Sequence, residues 1–150
     1  DEKFLHSIVW IASLLNSSEE FFLVTNDNKV YVYGTEICSY LSFKHDPNQP
    51  QQICFLDGLH IVQVDSGKNF VAILNVHGQV FIASDVDSKW QTNNTFRMVS
   101  TGNDRFEMIA CGAEHLLLLR RDGIVFALGD NRFGQLATSS MSSYDTLPVD

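Results

Sequence analysis

Three stretches of this chain repeat one another without gaps, and that repetition restricts the possible folds more than any other feature of the sequence. Val30-Tyr31-Val32-Tyr33-Gly34, Val80-Phe81-Ile82-Ala83-Ser84 and Val125-Phe126-Ala127-Leu128-Gly129 align, the second starting 50 residues after the first and the third 45 after that. A period in the range of roughly 20–50 residues marks an array of supersecondary units, because one such unit cannot bury its apolar face alone. A second anchor stands at a constant distance upstream of each run. Gly67-Lys68-Asn69-Phe70 matches Gly112-Ala113-Glu114-His115, and Ser17-Ser18-Glu19-Glu20 takes the same place in the first copy. Between the anchors lie Phe21–Thr25, Val71–Asn75 and Leu116–Arg120, all strand-like.

Turn chemistry supports the register. Asp27-Asn28, His77-Gly78 and Asp122-Gly123 fall at equivalent positions between two β-rich runs, and Asn or Gly at the second site tolerates the positive φ of a tight hairpin. Three hairpins are expected. A third strand precedes two of the anchors, Ile61–Val64 and Phe106–Cys111. In the first copy, Phe4, Ile8, Ile11 and Leu15 recur at helical spacing while Ile8–Ala12 suits a buried strand; the reading taken is strand. The connections Thr35–Gly58, Asp85–Asp104 and Asp130–Asp150 are rich in Ser, Asn, Asp and Gln and read as loops. The repeat cores are thus about 8–41, 61–91 and 106–136 in an all-β chain.

Composition excludes several functions. A chain 45% hydrophobic and 11% aromatic is not disordered. No apolar run reaches the 18 or so residues of a membrane helix. Eighteen acidic against 10 scattered basic residues, net −8, work against nucleic-acid binding, which needs clustered Lys and Arg. Cys38, Cys54 and Cys111 are odd in number and show no CxxC spacing, so neither a disulfide framework nor a zinc site is indicated. Reduced thiols suit an intracellular protein, cytoplasmic or nuclear. The first residue, Asp1, and the last, Asp150, give the chain the look of a piece of something longer.

No constellation of residues makes a catalytic centre. Cys111 and His115 could form a nucleophile pair, but they flank a strand–turn junction with no third ligand near in sequence, so a histidine bonded to neighbouring backbone is the better reading. Gly112, Gly123, Gly129 and Gly134 lack the helix and the Gly-Lys-Ser/Thr of a phosphate loop and read as turn glycines. Asp65, Asp85 and Asp87 read as solvated carboxylates beside a turn and in a loop. Tyr31, Tyr33, Phe81 and Phe126 sit at equivalent strand positions where cross-strand packing explains them. Asp130-Asn131-Arg132-Phe133 differs. A charged, aromatic, amide-bearing segment between a Gly stop and a Gly-Gln turn is a candidate partner contact. No catalytic, cofactor or metal residue is assigned.

The third copy, Gly112-Ala113-Glu114-His115-Leu116 through Asp122-Gly123-Ile124-Val125-Phe126-Ala127-Leu128-Gly129-Asp130-Asn131-Arg132-Phe133-Gly134-Gln135-Leu136, resembles the repeat of the regulator of chromosome condensation (RCC1) family. The first copy, Ser18 through Gly34, is similar to the opening repeat of the subgroup in which such a propeller is joined to a BTB domain. The family tryptophan is Tyr33, Ala83 and Leu128 here, the following Gly is Ser84 in copy two, and copy one has Ser39-Tyr40-Leu41 for Gly-Gln-Leu. The resemblance implies an RCC1-type β-propeller of seven blades, of which this chain holds about three, and a ring latched by pairing its two ends. It also implies a non-enzymatic protein-interaction scaffold, an adaptor in a BTB or ubiquitin-ligase-type assembly. The alternative it implies is a guanine-nucleotide exchange factor for a small GTPase. Three copies cannot close such a ring. Two apolar faces and unpaired edges are therefore expected in water, with marginal stability and self-association.

Overall fold

The computed structural model describes residues 1–102, 105–133, 135 and 142–148, the last group as backbone only. Its strands form three antiparallel sheets. The first holds β1 (Ile8–Ser13), β2 (Phe21–Thr25), β3 (Val30–Tyr33) and β4 (Gln51–Gln52). The second holds β5 (Ile61–Ser66), β6 (Phe70–Asn75), β7 (Val80–Ser84) and β8 (Arg97–Val99). The third holds β9 (Phe106–Cys111), β10 (His115–Arg120), β11 (Val125–Asp130) and β12 (Ser142–Pro148). In each, strands neighbour one another in chain order, so one repeat makes one blade.

The three expected hairpins share one turn. Asn28 donates its N–H to the Thr25 carbonyl at 3.0 Å, Gly78 to Asn75 at 3.1 Å and Gly123 to Arg120 at 2.9 Å. In return Thr25, Asn75 and Arg120 donate to Lys29, Gln79 and Ile124. Asn28, Gly78 and Gly123 have φ of 58°, 81° and 89°. This is a three-residue hairpin whose last position is left-handed, which is why Asn or Gly recurs there.

Strand alternation splits each blade into two faces. Phe22, Val24, Val30 and Val32 of blade one pack with Val71, Ile73, Phe81 and Ala83 of blade two in one core. Phe70, Ala72, Leu74, Val80 and Ile82 of blade two pack with Leu116, Leu118, Phe126 and Leu128 of blade three in another. Both core sets obey the repeat, since each blade turns its second set toward the first set of the blade that follows. Blade two is covered on both sides, and every residue of β6 and β7 is buried. The inner strands are joined as well. Gln63 on β5 brackets Ile109, donating to its carbonyl at 2.6 Å and accepting its N–H at 2.9 Å. Ser66 Oγ accepts the Leu15 N–H at 2.8 Å, and Lys68 donates its N–H to the Ala113 carbonyl at 2.7 Å.

The structure corrects the sequence reading of the connections. Thr35–Gly58 contains helix α2 (Thr35–Tyr40), β4 and a 3-10 turn, Cys54–Leu56. Asp85–Asp104 contains β8, and Asp130–Asp150 contains β12. These supply the fourth strand of each blade. They pair mainly through backbone, so β4 and β8 carry little apolar alternation to mark them. Ahead of β1, Glu2–Ser7 forms helix α1, capped by the Asp1 carboxylate, so the ambiguous first segment is a short helix followed by the expected strand. Gly134 and Leu136, read as part of a Gly-Gln-Leu turn, lie outside the described residues.

Candidate functional site

The anchor residue of each repeat builds the same end of its blade. Phe70 lies so close over Gly67, and His115 over Gly112, that a Cβ at either glycine would meet the ring. His115 therefore uses its ring as a packing plate. Among the described residues its nitrogens make no hydrogen bond, in contrast to the backbone-bonded histidine expected. In blade one the same position is Glu20, 4% exposed. Its carboxylate lies against Gly34 and accepts the N–H groups of Glu36 at 2.9 Å and Ile37 at 3.1 Å. Helix α2 has no side-chain cap at Gly34, so Glu20 satisfies donors at its N-terminus from the neighbouring turn. Sequence reasoning missed this role, although the alignment of Ser17–Glu20 with Gly112–His115 held the signal.

Cys111 and His115 do not form a reactive pair. The Cys111 thiol is pushed far above its ordinary range, first by burial and then by the Asp65 carboxylate. Asp65, next to last in β5, does precede a turn, but its carboxylate is not left to solvent: it accepts the Cys111 N–H at 2.9 Å. Its partner comes from the next blade, which no local signal around Asp65 shows. Asp85 and Asp87 do lie in a connection, with the Asp85 carboxylate accepting the Asp87 N–H at 3.1 Å. Among the described residues no group of three or more His, Cys, Asp or Glu is placed to hold a metal ion. Nor is any helix there long and apolar enough to cross a membrane.

The segment Asp130–Phe133 leaves the end of β11 on the same edge of the blade as the Gly112–His115 turn. Gly129, at φ 114°, brings the chain so close that a Cβ would come within 2.4 Å of the Glu114 carbonyl, and Asp130 donates its N–H to that carbonyl at 2.7 Å. Asp130 is 3% exposed, and Asn131 is buried too. The Asp130 carboxylate accepts the Arg132 backbone N–H at 3.1 Å and the guanidinium Nε at 2.8 and 3.0 Å. Arg132 Nη2 also reaches Glu114 Oε2 at 2.9 Å. The hydrogen bonds from the Arg132 side chain hold the Asp130 carboxyl down at about 2. Phe133 donates its N–H to Gln135 Oε1 at 3.0 Å, its ring 6.0 Å from the Arg132 guanidinium and 88% exposed. Of the four residues singled out in the sequence, Asp130 braces the loop, Asn131 is buried beside it, and Arg132 and Phe133 reach solvent.

A groove of about 600 Å3 runs along the same end of the molecule, over the turns that follow β1, β5 and β9, with Asn16, Lys68 and Ala113 at its rim.

The regulator of chromosome condensation (RCC1) repeat pattern matches residues 109–135, the third anchor through the braced loop. The chain is 30% identical over 129 residues to the probable E3 ubiquitin-protein ligase HERC6 of Homo sapiens, covering 77% of this chain and 13% of that one. It is 26% identical over 148 residues to the guanine nucleotide exchange factor SRM1 of Saccharomyces cerevisiae, covering 89% of this chain and 30% of that one. It therefore spans a minor part of each relative. The crystal structure of Prp20p from Saccharomyces cerevisiae superposes with a TM-score of 0.71 at 17% identity, over 96% of this chain and 38% of that one. Repeat, register and blade geometry agree: this chain belongs to the RCC1-repeat family and folds as part of an RCC1-type β-propeller.

Proposed function

We propose that this chain is the interaction part of a non-enzymatic scaffold, in which the end of blade three carrying Arg132 and Phe133 seats a protein partner. The observation that carries the reading is the exposed Phe133 ring on a loop locked by Asp130, Arg132 and Glu114. The polar groups that would otherwise suggest chemistry are already engaged, Glu20, Gln63 and Asp65 with backbone and Asp130 with Arg132. The likeness to HERC6, named as a probable ubiquitin-protein ligase, supports a ligase-type assembly as the setting. An adaptor joined to a BTB domain is the same reading in a different architecture. An intracellular setting, cytoplasmic or nuclear, fits the unpaired thiols of Cys38, Cys54 and Cys111.

The test is affinity capture from cell extract with the wild-type chain, Phe133→Ala and Arg132→Ala, quantified by mass spectrometry. Selective loss of ubiquitin-ligase components by about tenfold or more in Phe133→Ala, at unchanged melting temperature, supports the proposal. Identical capture by all three proteins removes it. The second reading rests on the likeness to SRM1 and is tested by release of labelled GDP from small GTPases. Acceleration at sub-stoichiometric amounts would make the chain an exchange factor and therefore an enzyme.

A further inference from the structure

The hairpin end of the blades, opposite the Arg132–Phe133 loop, carries positive charge that the fold does not use. In every blade the residue just ahead of the inner strand accepts, on its carbonyl, the N–H of the residue just after the second strand. The pairs are Ser7 and Asn26 at 2.7 Å, His60 and Val76 at 2.9 Å, and Arg105 and Arg121 at 2.8 Å. Blades one and two make this bond with no arginine at either site, so the side chains of Arg105 and Arg121 are not needed to build blade three. Both are exposed. Among the described residues neither meets a carboxylate, whereas Arg120 holds Asp122 and Arg132 holds Asp130 and Glu114. Their main chain is fixed against blade two. Phe106 donates its N–H to the Gly78 carbonyl at 3.0 Å, and a Cβ on Gly78 would lie 2.8 Å from the Arg105 Cα. Arg121 Nη2 reaches across to the Val76 carbonyl at 3.5 Å, and Val76 is itself 46% exposed beside the exposed His77. The cluster spans blades two and three and owes nothing to the outer faces of blades one and three.

We infer that Arg105 and Arg121 receive an acidic segment of a partner protein, its carboxylates on the two guanidinium groups and an apolar side chain on Val76. The chain scatters 10 basic residues among 18 acidic ones, and the fold gathers Arg105 and Arg121 into one place without a counter-charge. A guanidinium presents a planar fork that matches a carboxylate, and two of them on a fixed backbone offer a preset pair of such sites. Charge complementarity favours a short acidic segment over nucleic acid. A nucleic-acid backbone would set a continuous row of phosphates against a chain of net charge −8, whereas an acidic segment needs only a local pair of cations. The surface lies the length of β11 from Phe133, about 20 Å by strand rise, so the two contacts are separate.

Fluorescence anisotropy of a labelled octaglutamate peptide, titrated with the protein, reads the contact. The wild type is expected to bind octaglutamate and not octaglutamine, more weakly as sodium chloride is raised. Arg105→Ala and Arg121→Ala should each weaken binding by about threefold to fivefold, the size of an exposed ion pair. Lys89→Ala, which removes one charge from the connection after β7 at the other end of blade two, should leave it unchanged. The arginine variants keep the backbone bond that blades one and two make without arginine, which an unchanged melting temperature verifies. Four results overturn the inference: no binding of octaglutamate at about 0.5 millimolar protein, equal binding of octaglutamine, binding that both arginine variants retain in full, or a loss in Lys89→Ala as large as theirs. Duplex DNA bound more tightly than octaglutamate, through the same two arginines, would also overturn it by assigning the patch to nucleic acid.

Discussion

Glu20 shows how one substitution in a repeat is absorbed locally. Where the third copy has a histidine ring packed on glycine, the first has a buried carboxylate holding two N–H groups at the start of α2. Hydrogen bonds to a charged group contribute about 1.5–3 kcal/mol, and removing the acceptor leaves buried donors unpaired. Glu20→Ala should lower stability by about that amount, and Glu20→Gln, which keeps one acceptor oxygen, by less; urea unfolding monitored by circular dichroism measures both. The Asp130 carboxylate behaves differently because it is read by pH. Its folded pKa, about 2, lies below the ordinary 3.8, so the contribution it makes is fully present above pH 4 or so and is lost as pH falls through 2. A carboxyl-carbon NMR titration should place its midpoint near 2 in the wild type and near the ordinary value in Arg132→Ala.

The hairpin turn is the unit that the sequence displays most openly. Gly78 and Gly123 both require positive φ, and an L-residue there costs roughly 1–2 kcal/mol. Space separates them, since a Cβ at Gly123 meets nothing within 4 Å and one at Gly78 would lie 2.8 Å from the Arg105 Cα. Gly78→Ala should therefore destabilise more than Gly123→Ala, a ranking that thermal unfolding of the two variants checks. Turns and inner strands were legible because Asn or Gly at a left-handed position and apolar runs on either side are local signals. The fourth strands were not. Gln51-Gln52 and Arg97-Met98-Val99 add backbone pairing to strands already apolar, so nothing in their own composition announces them. Helix α2 escaped notice for a related reason, its N-terminal donors being satisfied by Glu20, which sits in another turn. The contact loop was visible as a charged and aromatic interruption after Gly129. That Asp130 and Asn131 would turn inward was not, because it depends on the Glu114 carbonyl approaching from the preceding turn.

At the scale of the whole molecule the blades are unequal although their sequences are similar. Blade two is covered on both sides and bridged at its inner strand by Gln63 and Asp65. Exchange of backbone amides with deuterium should therefore be slowest in β6 and β7, with β1 and β9, each at an inner edge, exchanging sooner. Equal protection in all three blades would mean that the stack opens only as a unit. The two tryptophans of the sequence fall one to each core. Trp10 packs against the core between blades one and two, 6.4 Å from Phe22, and Trp90 is buried between blades two and three, 4.1 Å from Phe70. Each junction thus carries its own fluorophore. Replacing either tryptophan by phenylalanine leaves a single emitter that reports on one junction alone. The delay between the two emission changes during unfolding then tells which junction parts first.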